Sequence, residues 1–568
     1  MNEAMNFSVA PTMIAPTAAI KRVEPKSITD CSKCEGNIHV GVFFDGTNNN
    51  READMPKLKH TNVARMYDAY LNNPEKGYFP SYIPGVGTPF PEIREKGESS
   101  LGSGFAIGCE QRVLFAILHV FNALHRSARN GAELVDGDQI AALCCNKTVG
   151  GPFQRGDSNA LNGLGLTTGL KMPGIGYGDR MINLNALALR LQIAVSKGLP
   201  LIKECFIDVF GFSRGAAEAR VFCHWLDEIM MNGTLAGVII HFRFLGIMDT
   251  VASAGFVSSV GAGITGGEGG HGGWAESRYL RIPASVQNCV HMIAGHELRK
   301  NFPIDTINNG GKLPSTYQEF VYAGAHSDVG GGYAPGDLGI APGSDRKAAD
   351  ALKLAQLPLN HMFECAIAAG VPMKRQRARF EALGHDPFAL SPLVVQAHAD
   401  FVAASTLTPR PHHEWLQSYL NWRWQVRLTY TSLNQVREAS PEHRELLIQY
   451  NAQLIADAEF LDKPPSRNLV KSVLMPMVAI QEKISREIRA RLFDNEARAV
   501  LALAKAAKPT DPRLAQLFDR FVHDSLAGFN HNKLELTGYW RYRKGYLGEE
   551  KRLIVENDAP PVDDRDVA

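Results

Sequence analysis

Residues 205–215 read CFIDVFGFSRG, a continuous apolar run with one acid that turns abruptly at Gly211-Phe212-Ser213-Arg214-Gly215. A run of this kind suits a strand buried on both faces of a parallel sheet. The stretch after it is helical, with apolar residues at 216, 219, 222, 226 and 229 on one face. The GxSxG pattern therefore sits between a strand and a helix. In that context the turn is so sharp that the serine adopts strained backbone geometry and its hydroxyl projects from the sheet edge. Glycines flank it because a Cβ there collides with the neighbouring strand or helix. The helix that opens at Arg214 directs the positive end of its dipole at Ser213.

The flanking sequence repeats the alternation. Residues 38–44 (IHVGVFF) and 238–247 form further strand candidates, as do residues 320–325. Helical patterns fall around 63–71, 111–125 and 182–196. Strand and helix in alternation predict an α/β fold with a mainly parallel sheet. Residues 1–37 are Pro- and Ala-rich and aperiodic, and read as an arm. Residues 130–180 and the Gly-rich stretch 253–274 read as loop insertions in a domain spanning 38–375. From 376 to 568 helical patterns dominate, broken by Pro-rich stretches near 408–411, 464–465 and 509–512.

Composition removes several classes. Lys and Arg number 60 against 59 Asp and Glu, a formal net charge of +1, so no global positive field exists to hold nucleic acid. Nine cysteines in 568 residues are too few for a disulfide scaffold. Cys31 and Cys34 form a CxxC pair without the two further ligands a zinc site needs, and Cys144 and Cys145 are adjacent. The GIGYG at 174–178 lacks the ending of a phosphate loop. No segment reaches the length and apolarity of a membrane span, and the first 22 residues do not have the form of a signal peptide. Action outside the cell therefore calls for a machine other than the general secretory route.

A serine nucleophile needs a base, and the base an orienting acid. The strand candidate at 238–247 runs into Met248-Asp249-Thr250, so Asp249 leaves the sheet where an acid belongs. The candidate at 320–325 runs into His326-Ser327-Asp328, followed by glycines. The order Ser213, Asp249, His326 is that of the α/β-hydrolase triad. His523 is the alternative base and Asp328 the alternative acid, while Asp208, inside its strand, reads as structural. For the oxyanion the candidate donors are the N–H of Arg214 and a backbone N–H of Gly46 or Thr47, in the loop that leaves the first strand. Nothing in the constellation calls for a metal or a cofactor.

The motifs FFDGTNNN (43–50), GVGT (85–88), FGFSRGAAEAR (210–220), FLGIMDTV (244–251) and HSDVGGGY (326–333) occur in one order. They resemble the α/β-hydrolase domain of bacterial type VI secretion lipase effectors, the Tle phospholipases. HDSLAGF (523–529) and GYWRYRK (538–544) resemble the C-terminal end of such proteins. The resemblance implies Ser213 as nucleophile, Asp249 as acid and His326 as base. It implies hydrolysis of membrane phospholipid esters and delivery by a secretion spike or adaptor. It also implies toxicity in a rival's periplasm and a cognate immunity protein. Two positions depart from the pattern: Met248 stands where many relatives have Trp, and His296 where an acid is usual.

Three of the six tryptophans, Trp415, Trp422 and Trp424, fall within ten residues and alternate with Tyr419, Arg423 and Arg427. This mixture suits a bilayer interface, and equally an aromatic helix packed on the first domain. A cytosolic esterase with a soluble substrate, or a binding module without turnover, are the alternatives to a lipid-directed enzyme.

Overall fold

The computed structural model describes residues 6–12, 14–16, 19–25, 35–96, 108–144, 156–166, 177–252, 277–300, 302–308, 312–382, 384–405, 408–462, 495–528 and 538–546. Cys31, Cys34, Cys145 and the 253–274 stretch lie outside them, as does much of 130–180. The strands are β1 (Asn6–Val9), β2 (Glu35–Phe44), β3 (Tyr78–Ile83), β4 (Leu201–Phe212), β5 (Thr234–Leu235), β6 (Val238–Met248), β7 (Cys289–Ala294), β8 (Ile304–Asp305), β9 (Tyr317–Tyr322), β10 (Arg410–Pro411) and β11 (Gly545–Tyr546). The main sheet runs β10-β1-β9-β7-β6-β4-β2-β3, with β5 beside β6. Its pairs are parallel except for β1 with β10 and β5 with β6.

Period-two geometry divides the strand side chains between two cores. Val42 and Phe44 of β2, Ile207 and Val209 of β4, and Leu245 and Ile247 of β6 enter one cluster. The helices Cys109–Ala128 and Arg214–Ile229 contribute to it. Phe43, Phe210, Phe244 and Met248 enter the other cluster. Burial on both faces is why these strands read as unbroken apolar runs. Within the sheet, Asp208 is an internal tie, as expected: Arg243 donates to it at 2.6 and 2.8 Å and the Tyr70 hydroxyl at 2.9 Å.

The second core does not stop near residue 375. It continues from Met66, Phe210 and Phe363 through Trp415, Tyr419, Leu454 and Val500 to Phe518 and Trp540. The bilayer reading of the aromatic run does not hold. Trp415 and Trp422 are 1% and 2% exposed in the helix His412–Val426, and Trp424 packs edge-on to Trp540. No helix among the described residues is long and apolar enough to cross a membrane.

Three elements differ from the expected pattern. Residues 6–9 of the arm are a sheet strand, with Ser8 and Val9 in register with Phe320 and Val321. β3 lies in a stretch to which the sequence pattern assigned no element. β7 lies between the strands bearing the acid and base candidates, so one strand separates their exits rather than none. The expected strand at 320–325 is β9, which ends at Tyr322; a bend and a short helix, His326–Gly330, come after it.

Candidate active site

Register brings the predicted residues to one edge. Phe44 lies opposite Gly211 and Phe212 opposite Met248, so Asp45, Ser213 and Asp249 leave β2, β4 and β6 at one level. In α/β sheets the carboxyl ends of the strands are where ligands bind.

Ser213 has φ 59° and ψ −124°, a conformation that costs a non-glycine residue on the order of 1–3 kcal/mol. Its N–H donates to the Met248 carbonyl at 3.0 Å, and its own carbonyl accepts from the Val251 N–H at 3.2 Å. Two backbone bonds thus tie the serine to both sides of Asp249. The two glycines are sterically required. A Cβ on Gly215 lies 2.3 Å from the Phe44 carbonyl oxygen, and one on Gly211 lies 2.4 Å from the Gly215 oxygen.

Asp249 is wholly buried and has a positive φ of 42°. His326 Nδ1 lies 2.5 Å from its Oδ2, and the Ala294 N–H donates to Oδ1 at 2.9 Å. With an ionised partner that nitrogen carries the proton, which leaves Nε2 as the basic atom. The imidazole packs on Phe212, next to Ser213, with ring centroids 4.5 Å apart, and edge-on to Phe302 at 5.0 Å. Its backbone N–H donates to Glu297 at 3.0 Å.

Arg543 is the contact the sequence did not announce. Its Nη1 donates to Asp249 Oδ2 at 2.8 Å and its Nη2 to Oδ1 at 2.7 Å. Only its place inside GYWRYRK hinted at a role. Burial pushes the Asp249 carboxyl up, but the Arg543 charge and hydrogen bonds, together with His326, hold it far below the usual carboxylate range. Burial lowers His326, against the opposing pull of Asp249. The imidazole is therefore neutral under ordinary conditions.

The remaining candidates separate. His523 and Asp328, the alternative base and acid, bond each other at 2.5 Å, and Tyr333 stacks on the His523 ring at 3.7 Å. Asp328 also accepts from the Ala325 N–H, so it braces the turn that carries His326. His296 accepts the Gly324 N–H through Nδ1, and burial takes it down to about 3, a neutral core histidine. The acid of that segment is its neighbour Glu297, held down to about 2 by Arg299 despite burial.

The β2 exit loop needs a correction. The Gly46 N–H is not free for an oxyanion, because it donates to Asp45 Oδ1 at 2.7 Å. Asp45 also accepts from Thr61 at 2.6 Å and Tyr82 at 2.5 Å, and burial raises it to about 6. A short acid one residue earlier captures the donor. Thr47 remains in this loop, and Arg214 stands at the first position of its helix.

Cys109, Cys144, Cys205, Cys223, Cys289 and Cys365 are buried. No group of metal-binding side chains occurs among the described residues.

A mostly parallel sheet, a strained serine at a strand–helix elbow and a buried carboxylate–imidazole pair at the same edge of that sheet make this an α/β-hydrolase fold. The family model described as "T6SS, Phospholipase effector Tle1-like, catalytic domain" matches residues 39–234 and 230–365, and the chain belongs to that family. Its fold is similar to an uncharacterized protein from Pseudomonas aeruginosa, at 24% identity and a TM-score of 0.62. That match covers 91% of this chain and 80% of the other. The Tle1 effector bound to the VgrG spike of a type 6 secretion system matches at 16% identity and a TM-score of 0.36. It covers 69% of this chain and 87% of that one. No curated protein sequence matches significantly.

Proposed function

We propose that the chain is a phospholipase of the A type that cleaves acyl esters with Ser213 as nucleophile, His326 as base and Asp249 as acid. The observation that carries this is the strained Ser213 at the β4 exit beside the 2.5 Å contact of His326 with Asp249. His326 Nε2 takes the Ser213 proton as Oγ attacks the ester carbonyl. The oxyanion sits between the N–H groups of Arg214 and Thr47. Collapse expels the lysolipid alcohol, which receives the proton from His326. Water, deprotonated by the same imidazole, then releases the fatty acid and regenerates Ser213.

Family membership supports export by type VI secretion. On that basis the target is the membrane of a rival bacterium reached from its periplasm, with a spike protein as carrier and an immunity protein protecting the producer. Ser213→Ala is expected to reduce phospholipid hydrolysis by roughly 10³-fold or more while leaving the melting temperature within a few degrees. Mass spectrometry of products from a phospholipid with two different acyl chains reads both the loss and the position cut. Cleavage undiminished in the variant refutes the assignment. Directing the wild-type chain to the periplasm of a host without immunity tests the toxin reading, since an esterase of soluble substrates leaves growth unchanged.

A further inference from the structure

We propose that Arg543 is a positioning residue for the catalytic acid, and that the C-terminal segment carrying it completes the active site. This rests on the triad reading above and extends it to a part of the chain beyond the family match, which ends at residue 365.

The geometry is specific. Arg543 and Asp249 are 294 residues apart and both wholly buried, and the guanidinium grips the carboxylate through two parallel bonds. A bidentate pair fixes the plane of the carboxylate. Oδ2 is thereby aimed at His326 Nδ1 rather than left to rotate. The backbone closes the same circuit. The Ile304 N–H donates to the Lys544 carbonyl, and β11 pairs parallel with β8. The Asp305 N–H in turn donates to the Thr250 carbonyl, and Asp305 Oδ2 accepts the Ala252 N–H. The acid loop, β8 and the segment around Arg543 are thus stitched together.

The same C-terminal stretch serves the base. Ser525 Oγ donates at 2.9 Å to Glu297, the acid that holds the His326 N–H. His523 pairs with Asp328, the acid that braces the His326 turn. Three buried carboxylates around the imidazole each receive a partner from residues 523–543.

A guanidinium beside the acid also has an electrostatic consequence. It compensates the charge that would otherwise stabilise imidazolium. The other charges facing the pair are Glu297 and Arg299 from the loop after β7, bonded to each other, and Asp328, tied to His523. His412, at 3.0 Å from the Ala294 carbonyl, is taken by burial to about 3 and stays neutral. Removing the Arg543 cation is therefore expected to favour the imidazolium form of His326.

The test compares the full-length wild type with Arg543→Gln and Arg543→Lys, using hydrolysis of a soluble p-nitrophenyl ester against pH together with thermal melting. The expected result is a folded Arg543→Gln chain with kcat down roughly 10²-fold and the acidic limb of kcat/KM moved to higher pH. Arg543→Lys, which keeps the charge and loses the fork, is expected to keep the limb near its wild-type position while kcat recovers only in part. A folded Arg543→Gln variant with the wild-type profile overturns the proposal. So does a rate loss with an unmoved limb, or failure of both variants to fold, which assigns Arg543 to stability alone. Failure of the triad reading shows separately, as hydrolysis that survives Ser213→Ala in the same assay, and takes this proposal with it.

Discussion

At Ser213, strain and the proposed chemistry share one residue. A glycine adopts φ 59° and ψ −124° at little cost, whereas alanine keeps the Cβ and the strain. Ser213→Gly is therefore expected to be more stable than Ser213→Ala by about 1 kcal/mol or more, with both inactive; equal melting temperatures count against stored strain. Gly215→Ala is expected to lose at least about 1–3 kcal/mol, because its Cβ meets the Phe44 carbonyl oxygen. For His326, burial lowers the pKa from 6.5. A base must be neutral, so activity is expected to persist as pH falls through 6.5 and to fade only below it. An acidic limb of kcat/KM centred above 6.5 contradicts that environment.

The elements show where sequence reading succeeds and why it stops. β4, its elbow and the helix after it were legible because local pattern and local geometry coincide there. The exits of β6 and β9 were legible because an acid and a histidine each come directly after an apolar run. β1 was hidden: its four residues have no period of their own, and their partners lie near 320 and 410. The Gly46 N–H looked available because sequence does not show that the Asp45 side chain turns back on it. Phe7, 2% exposed and edge-on to His412, anchors β1. Phe7→Ala is expected to cost about 3–5 kcal/mol, measured by denaturant unfolding. A loss below about 1 kcal/mol means that the arm does not hold the sheet edge.

At the scale of the molecule, the C-terminal helices share a core with the hydrolase sheet and send Arg543 back to its acid. A pattern of Trp, Tyr and Arg does not distinguish a bilayer from the inside of a protein, which is why the aromatic helix was ambiguous before its packing was known. Trp422→Ala is expected to destabilise the whole chain by about 3–5 kcal/mol, with a single transition, since sheet and helices share one cluster. A separate early transition, with the hydrolase part still folded, argues instead for independent units. The ion pair between Arg543 and Asp249 is buried as well, so a single transition is expected to take the site with it.

The most direct test of the central claim is reaction with a fluorophosphonate, whose phosphorus is attacked by an activated serine with loss of fluoride. Intact mass and peptide mapping are expected to show a single adduct on Ser213, abolished in Ser213→Ala and slowed by orders of magnitude in His326→Ala. An adduct on another residue, or labelling of Ser213 at the same rate without the imidazole, contradicts it.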